Sequence, residues 1–317
     1  MYNYLDFEKP VADLDAQIFE LKKLSQEKDS VNMSDEIDRL EKRSAQALRD
    51  LYKKLTPWQK TQIARHPDRP HFLDYANHLF SDITPLAGDR KFGEDEALQA
   101  GFARFQGEAI AYLGLEKGHD TQTRLKHNFG SARPEGYRKA VRIMEMAERF
   151  NLPVVSIIDT AGAYPGVSAE ERGQAEAIAR STAEMLNLKV PVVAIVIGEG
   201  GSGGAIAIAA ANRVYMLEHS IYSVISPEGA ASILWRDATR AKDAATNMRI
   251  TAQDLYELKI IDGIIPEPLG GAHRDREAVM DATGNIIAAA LKSMADKDGI
   301  TLRDERREKY LAIGRNL

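Results

Sequence analysis

From Lys9 to Lys54 the chain is charged and free of glycine, and its apolar residues recur at helical spacing: Leu14, Ile18, Leu21, then Ile37, Leu40, Ala47, Leu51 and Leu55. The spacing predicts two helices with a break near Ser30 to Ser34. Ser34 reads as a cap of the second helix, with Asp35 and Glu36 favouring its N-terminal dipole. Thr56-Pro57 reads as another N-cap with proline at the first helical position. The heptads are too short and irregular for a coiled coil, so an antiparallel helical hairpin packed on its own domain or on a partner is expected. Pro67, Pro70 and Pro85 then mark His66 to Pro85 as a connector.

The period shortens after that. Ala103 to Phe105 and Ala109 to Leu115, separated by Gln106-Gly107-Glu108, predict a β-hairpin, and Ala140, Ile143, Met144 and Ala147 put an amphipathic helix over Pro134 to Phe150. Two units of one grammar follow. The apolar run Val154 to Ile158 leads into a loop, Asp159 to Gly166, and a helix from about Ala169 to Leu186. The run Val192 to Ile197 leads into a second loop, Gly198 to Gly204, and a helix from Ala205 to Ala211. Short strands at Val214 to Leu217 and Tyr222 to Ile225 continue the alternation, and charged helices from about Glu277 to Ala295 close it. Continuous apolar strands followed by helices imply a parallel sheet covered on both faces, with the active site at the strands' carboxyl ends, where the two loops lie.

Composition narrows the class. The 317 residues carry 42 Lys+Arg and 47 Asp+Glu, a formal net charge of −5, with 44% hydrophobic residues, which excludes general disorder and a globally basic nucleic-acid binder. Every apolar run is cut short of the roughly 18 residues that span a bilayer, and the start MYNYLDFEKP lacks a basic-then-apolar signal pattern, so a cytoplasmic protein is expected. The absence of cysteine excludes disulfides, thiol nucleophiles and cysteine zinc sites.

Gly198 to Ala205 holds five glycines in eight positions between a buried strand and a helix. Such a turn lets backbone N–H groups converge on an anion or a developing negative charge. A Walker-type cradle fails, because Gly204 is followed by Ala205-Ile206-Ala207 rather than Lys and Ser/Thr. A dinucleotide fingerprint, Gly198-x-Gly200-x-x-Gly203, lacks the acidic residue on a second strand. Gly200-x-Ser202-x-Gly204 fits a nucleophile elbow, with only His219 and His273 left to follow in triad order, and Ser202 equally suits a helix cap. Gly203-Gly204 before a helix of small residues favours an oxyanion site without a side-chain nucleophile, which points to acyl-CoA or enolate chemistry.

Five longer runs carry a resemblance. NFGSARPEGYRKA (Asn128 to Ala140), DTAGAYPG (Asp159 to Gly166), GEGGSGGA (Gly198 to Ala205), YSVISPEGAASILW (Tyr222 to Trp235) and LKIIDGIIPEPLGGAHR (Leu258 to Arg274), with GDR at Gly88 to Arg90, resemble the α subunits of bacterial acetyl-CoA carboxylase carboxyltransferases over nearly the whole chain. Ser131 departs from the pattern, where methionine is expected. The resemblance implies an α/β crotonase (ClpP-like) fold of repeated ββα units, residues 76–317, behind a helical N-terminal extension, residues 1–75. It implies a β subunit carrying a zinc ribbon and the acetyl-CoA side of the site, in an α2β2 assembly, with no metal on this chain. It implies carboxybiotin on a biotin carboxyl carrier protein, loaded by a biotin carboxylase, and transfer of the carboxyl group to acetyl-CoA to form malonyl-CoA for fatty acid biosynthesis. By motif position Gly203 and Gly204 supply donors to the ureido oxygen, with Gly166 or Val167 as the second donor. Tyr164, Gly201, Ser202 and Ala205 line the carboxybiotin pocket. The deprotonated biotin takes the acetyl proton, so no side-chain base is needed.

Several residues have plainer readings. Asp159 reads as a loop-capping carboxylate, Ser226-Pro227-Glu228 as a helix start, and His273 as a satisfied loop histidine. Tyr164 either lines the pocket or packs under its turn. Arg124, Lys126, His127, Arg133, Arg138, Lys139 and Arg142 could meet the CoA phosphates, the carrier or RNA, with a solvated face holding a few ion pairs as the default reading. A crotonase hydratase would set glutamates beside the pocket, and the sequence offers no such pair.

Overall fold

The computed structural model describes residues 2–27 and 33–315. Part of the expected break at Ser30 to Ser34 lies outside the described residues. On either side of it stand α1 (Lys9–Glu27) and α2 (Ser34–Tyr52), paired as a hairpin. Ser34 is the first helical residue and Met33 occupies the cap position, which corrects the expected cap. Asp15 bonds Ser44 Oγ across the hairpin at 2.5 Å. The hairpin is tied to the rest of the chain by the buried Glu8, whose carboxylate accepts from Tyr52 at 3.0 Å and from Arg274 at 3.2 Å.

The helix α3 (Pro57–Ala64) starts as expected, with the Thr56 hydroxyl accepting the Gln59 amide. The expected connector instead contains α4 (Phe72–Leu79) and an edge strand, β1 (Phe80–Pro85). Its prolines stand only before α4 and at the end of the edge strand, where a missing N–H is tolerated. Phe72, Tyr75 and Ala76, at helical spacing, enter the core.

The hairpin is longer than the pattern suggested: β2 (Leu98–Phe105) pairs antiparallel with β3 (Glu108–Leu115). Its two-residue turn, Gln106-Gly107, has both φ values positive, as a twist-matched hairpin turn requires. Then come α5 (Thr121–Lys126), α6 (Pro134–Arg149), β4 (Val154–Thr160), α7 (Val167–Glu171), α8 (Gln174–Asn187), β5 (Val192–Gly201) and α9 (Ser202–Ile206). The single helix expected from Ala169 is split, because Gly173 takes φ 78° between α7 and α8. The remaining elements are β6 (Arg213–Leu217), β7 (Ile221–Ser223), α10 (Pro227–Trp235), α11 (Ala241–Asn247), α12 (Ala252–Glu257), β8 (Gly263–Ile265), α13 (Arg276–Lys292) and α14 (Gly299–Ala312).

The sheet runs β1-β2-β3-β4-β5-β6-β8, antiparallel over the first three strands and parallel from β3 onward. Side chains on β5 alternate between two cores: Val192, Ala194 and Val196 face one, and Val193, Ile195 and Ile197 face the other, alongside Phe72 and Tyr75. Strand β5 pairs with β6 through Val196 and then with β7 from Glu199 to Gly201. The expected glycine loop therefore begins as strand, and the helix expected over Ala205 to Ala211 is the five-residue α9, starting at Ser202. The pairing partner that turns these glycines into strand comes from a later segment, which local pattern does not show.

Candidate active site

Strands β4 and β5 end side by side, and the turns that follow them press together backbone to backbone. A Cβ on Gly201 would stand 2.2 Å from the Ala161 carbonyl oxygen, and one on Gly204 would stand 2.5 Å from the Ala163 nitrogen. Neither site has room for a side chain. Between them Ser202 takes φ 52°, a left-handed conformation uncommon for a residue with a side chain. Gly203 and Gly204 sit in the first turn of α9, where amides have no acceptor within their own helix.

Ser202 and Gly203 line an apolar cavity of about 620 Å³, together with Ile206, Tyr222, Leu258 and Tyr310. Among the described residues its lining contains no histidine and no carboxylate, so none of them gives Ser202 the partners a hydrolase nucleophile needs. Gly201 and Gly204 are buried behind it, and Ala205 is wholly buried in the core. Tyr164 packs under its own turn: a Cβ on Gly166 would lie 2.3 Å from the ring, and the Arg133 guanidinium covers the ring at 4.6 Å. Val167, the first residue of α7, is 75% exposed.

Beneath the turns lies a charged cluster that the sequence did not reveal. The buried carboxylate of Asp159 accepts the Glu199 amide at 2.9 Å and Lys117 Nζ at 2.7 Å, and its other oxygen stands 3.3 Å from His71 Nδ1. Lys117 also reaches Glu199 at 3.0 Å, and Arg65 joins Glu199 at 2.7 Å to Glu228 at 2.6 Å. Burial alone would push Asp159 up, but Lys117, the His71 contact and the Glu199 amide prevail and hold its carboxyl well below the usual range. Burial likewise opposes the charge on Glu199, and Lys117 and Arg65 overcome it. A pair of glutamates thus does stand together, but both are tied to Arg65 by ion pairs rather than left free beside the cavity. Segments around Arg65-His66-Pro67-Asp68-Arg69-Pro70-His71 and Glu116-Lys117 supply the cluster, and the density of ionisable residues between apolar helices was the one available signal.

The plainer readings meet mixed outcomes. Asp159 does cap a backbone amide, though on the neighbouring strand rather than in its own loop. Ser226 caps α10 through the Gly229 amide at 3.1 Å, with Pro227 first in the helix. His273 is not satisfied: its ring stacks on His66 at 3.7 Å, its Nδ1 is buried with no partner among the described residues, and burial together with His66 and Arg69 pushes its pKa down to about 3. The basic face is partly interior. Lys139 is buried beside Glu94, Arg138 lies near Asp89, and Arg142 bonds the Leu86 and Ala87 carbonyls.

A family model described as acetyl co-enzyme A carboxylase carboxyltransferase-like matches residues 4–314. Acetyl-coenzyme A carboxylase carboxyl transferase subunit alpha of Bartonella tribocorum is 80% identical over 317 residues, covering all of both chains. The same subunit of Brucella ovis is 78% identical over the same span. Among solved structures, a transcarboxylase 12S hexamer chain aligns with TM-score 0.53 and 21% identity, over 63% of this chain and 37% of its own. A Pseudomonas malonate decarboxylase hetero-tetramer chain aligns with TM-score 0.56 and 16% identity, over 71% and 92%. These likenesses show the fold, an α/β arrangement of the crotonase type, as expected. With a family match over residues 4–314 and relatives near four-fifths identity, this chain belongs to the acetyl-CoA carboxylase carboxyl transferase α subunits.

Proposed function

We propose that this chain is the α half of a split carboxyltransferase that, joined to a β subunit as α2β2, moves a carboxyl group from carboxybiotin to acetyl-CoA and forms malonyl-CoA. The carrier protein and the biotin carboxylase that loads it are separate partners, zinc belongs to the β subunit, and the assembly works in the cytoplasm. Residues 1–75 act as a helical extension laid on a carboxyltransferase domain of residues 76–317, with α4 crossing that boundary. The observation that carries the reading is Gly203, a first-turn residue of α9, in the wall of an apolar cavity of about 620 Å³.

The cavity suits the group in question: a fused ring on an aliphatic arm needs apolar walls and a few fixed donors. When bound, carboxybiotin supplies the carboxyl group and a ring urea oxygen that gains negative charge as that group departs. Gly203 and Gly204 offer backbone N–H groups to that oxygen, and Gly166 or Val167, opening α7, offers the second donor. One such donor contributes about 2.7–4 kcal/mol to the transition state, and a backbone donor loses nothing to rotamer motion. Gly201 and Ser202 shape the wall, Ala205 fixes α9 in the core behind it, and Tyr164 holds the turn that carries Gly166. Proton removal from the acetyl group requires no side chain of this subunit, in keeping with the bound state of Glu199 and Glu228.

The test is malonyl-CoA-dependent carboxylation of a free biotin derivative, by the chain alone and then mixed with its β subunit. Activity in the mixture only is the expected result. Turnover of a CoA ester or an acyl ester by the chain alone, with no carboxylation in the mixture, overturns the reading.

A further inference from the structure

The helix α7 has five residues, too few to hold itself by its own hydrogen bonds, so the turn that opens it is placed by contacts from elsewhere. Its far end is held by Arg172, which pairs with the buried Glu135 at 2.6 Å. Its near end is held by Gln174, the first residue of α8 and only 4% exposed. The side-chain amide of Gln174 donates to the Tyr164 carbonyl at 3.0 Å and to the Ala132 carbonyl at 2.9 Å. The Tyr164 backbone amide donates to that same Ala132 carbonyl at 3.0 Å. One side chain thus ties the residue before Pro165-Gly166 to the segment that leads into α6.

The contact is directional. The amide nitrogen has two hydrogens and meets two carbonyl oxygens, and turning the group over would set Oε1 against both of them. Oε1 itself is buried with no partner among the described residues. An amide that satisfies two acceptors while leaving its own oxygen bare gains little net stability, so its effect falls on where the turn sits. The preceding residue has no slack either, since a Cβ on Gly204 would stand 2.5 Å from the Ala163 nitrogen. Ala163 and Tyr164 are thus adjoining residues with two fixed neighbours, Gly204 and Gln174.

We propose that Gln174 is a positioning residue for carboxyl transfer, its amide setting the Tyr164 carbonyl, and with it the Gly166 and Val167 amides, in register with Gly203 and Gly204. This rests on the reading that Gly166 or Val167 supplies the second donor to the urea oxygen. Gln174 does not line the apolar cavity, so its loss changes the rate of transfer rather than the binding of either substrate. A donor displaced by about 1 Å lowers a rate by about 10²-fold.

Steady-state kinetics of malonyl-CoA-dependent carboxylation of a free biotin derivative by the α/β mixture tests this. Gln174→Met keeps the length of the side chain and loses both hydrogens, so kcat falls by about 10–100-fold. KM for malonyl-CoA and for the biotin derivative stays within about threefold. Arg306→Lys, which loosens the other end of α8, keeps the parent kcat and so separates placement from stability. Gln174→Glu stands in should Gln174→Met fail to fold. Its carboxylate has no donor for the two carbonyls and regains one on protonation, so its kcat relative to the parent rises as pH is lowered from about 8 to about 6. An unchanged kcat in Gln174→Met, a change confined to KM, an equal loss of kcat in Arg306→Lys, or a flat ratio for Gln174→Glu overturns the role given to Gln174. Inactivity of the parent mixture overturns the carboxyl-transfer reading and this role with it, whereas an active parent beside an unaffected Gln174→Met overturns this role alone.

Discussion

Gly198 and Asp159 compete for one space: a Cβ on Gly198 would fall 2.5 Å from the Asp159 oxygen that accepts the Glu199 amide at 2.9 Å. The carboxylate can reach across to β5 only because that side chain is missing. It thereby fastens the ends of β4 and β5 just before the two turns that carry the site.

Gly198→Ala displaces the Asp159 carboxylate and destabilises the chain by about 1–3 kcal/mol, the usual cost of overpacking. Asp159→Ala is worse, at about 3–5 kcal/mol, because it leaves Lys117 buried with half its neutralising charge. Urea denaturation of the two variants beside the parent checks both figures. An unchanged midpoint for Asp159→Ala contradicts the role given to the carboxylate.

Gly204→Ala drives a methyl group into the Gly162-Ala163 backbone and separates the two turns, so carboxyl transfer by the α/β mixture falls by about 10²–10³, as for loss of an oxyanion donor. Ser202→Ala keeps activity within about threefold, because among the described residues no base lines the cavity beside the hydroxyl. Steady-state kinetics of both variants separate these outcomes. A dead Ser202→Ala enzyme restores the nucleophile reading.

Stability declines on acidification in two overlapping windows. His273 is held neutral in the folded chain by burial, His66 and Arg69, its pKa lowered to about 3, whereas the unfolded chain takes up that proton near 6.5. Its contribution is therefore full above 6.5 and is lost as pH falls from there toward 3, with a slope of at most about 1.4 kcal/mol per pH unit. Glu267, opposed by burial but held down to about 2 by Arg69, adds a loss between 4.5 and 2. Asp95 works in the other direction, since burial raises it to about 6 and its folded form takes up a proton first. His273→Gln flattens the profile between pH 6.5 and 4 in urea titrations across that range. An undiminished slope in the variant removes His273 from the account.

Arg306 is fully buried and donates to four acceptors: the carbonyls of Met185 at 2.8 Å, Leu188 at 2.7 Å and Val190 at 2.9 Å, and the Asn212 side chain. It thus closes the C-terminal end of α8 onto the start of β5. Arg306→Lys cannot reproduce that planar fork and costs about 1–3 kcal/mol for each carbonyl left unpaired. Thermal unfolding of the variant measures the loss, and a change of less than about 1 °C goes against it.

Elements whose cause is local were legible in advance. The Thr56 and Ser226 caps, the Gln106-Gly107 turn and the Pro134 helix each follow from a few neighbouring residues, and the structure has them in place. Legibility failed where a distant segment intervenes. The stretch with Pro67, Pro70 and Pro85 read as a connector, yet Phe72 and Tyr75 seat α4 in the core. Gly198 to Gly201 read as loop, yet β7 supplies strand pairing. Asp159 and Glu228 read only as caps, and their union with Arg65, His71, Lys117 and Glu199 in one cluster is not legible because these residues come from separate stretches of chain.

The alternating strands, the helix caps, the family and the concentration of glycine at two turns can be read along the chain, because they depend on side-chain chemistry repeated or clustered there. What each glycine is for emerges only once the chain is folded. Gly198 yields to Asp159, Gly201 to Ala161 and Gly204 to Ala163, and each constraint is a steric contact with backbone or carboxylate about forty residues away. The ionisation of the Asp159 cluster was decided in the same way, since a buried charge persists only where the fold delivers its counter-charge.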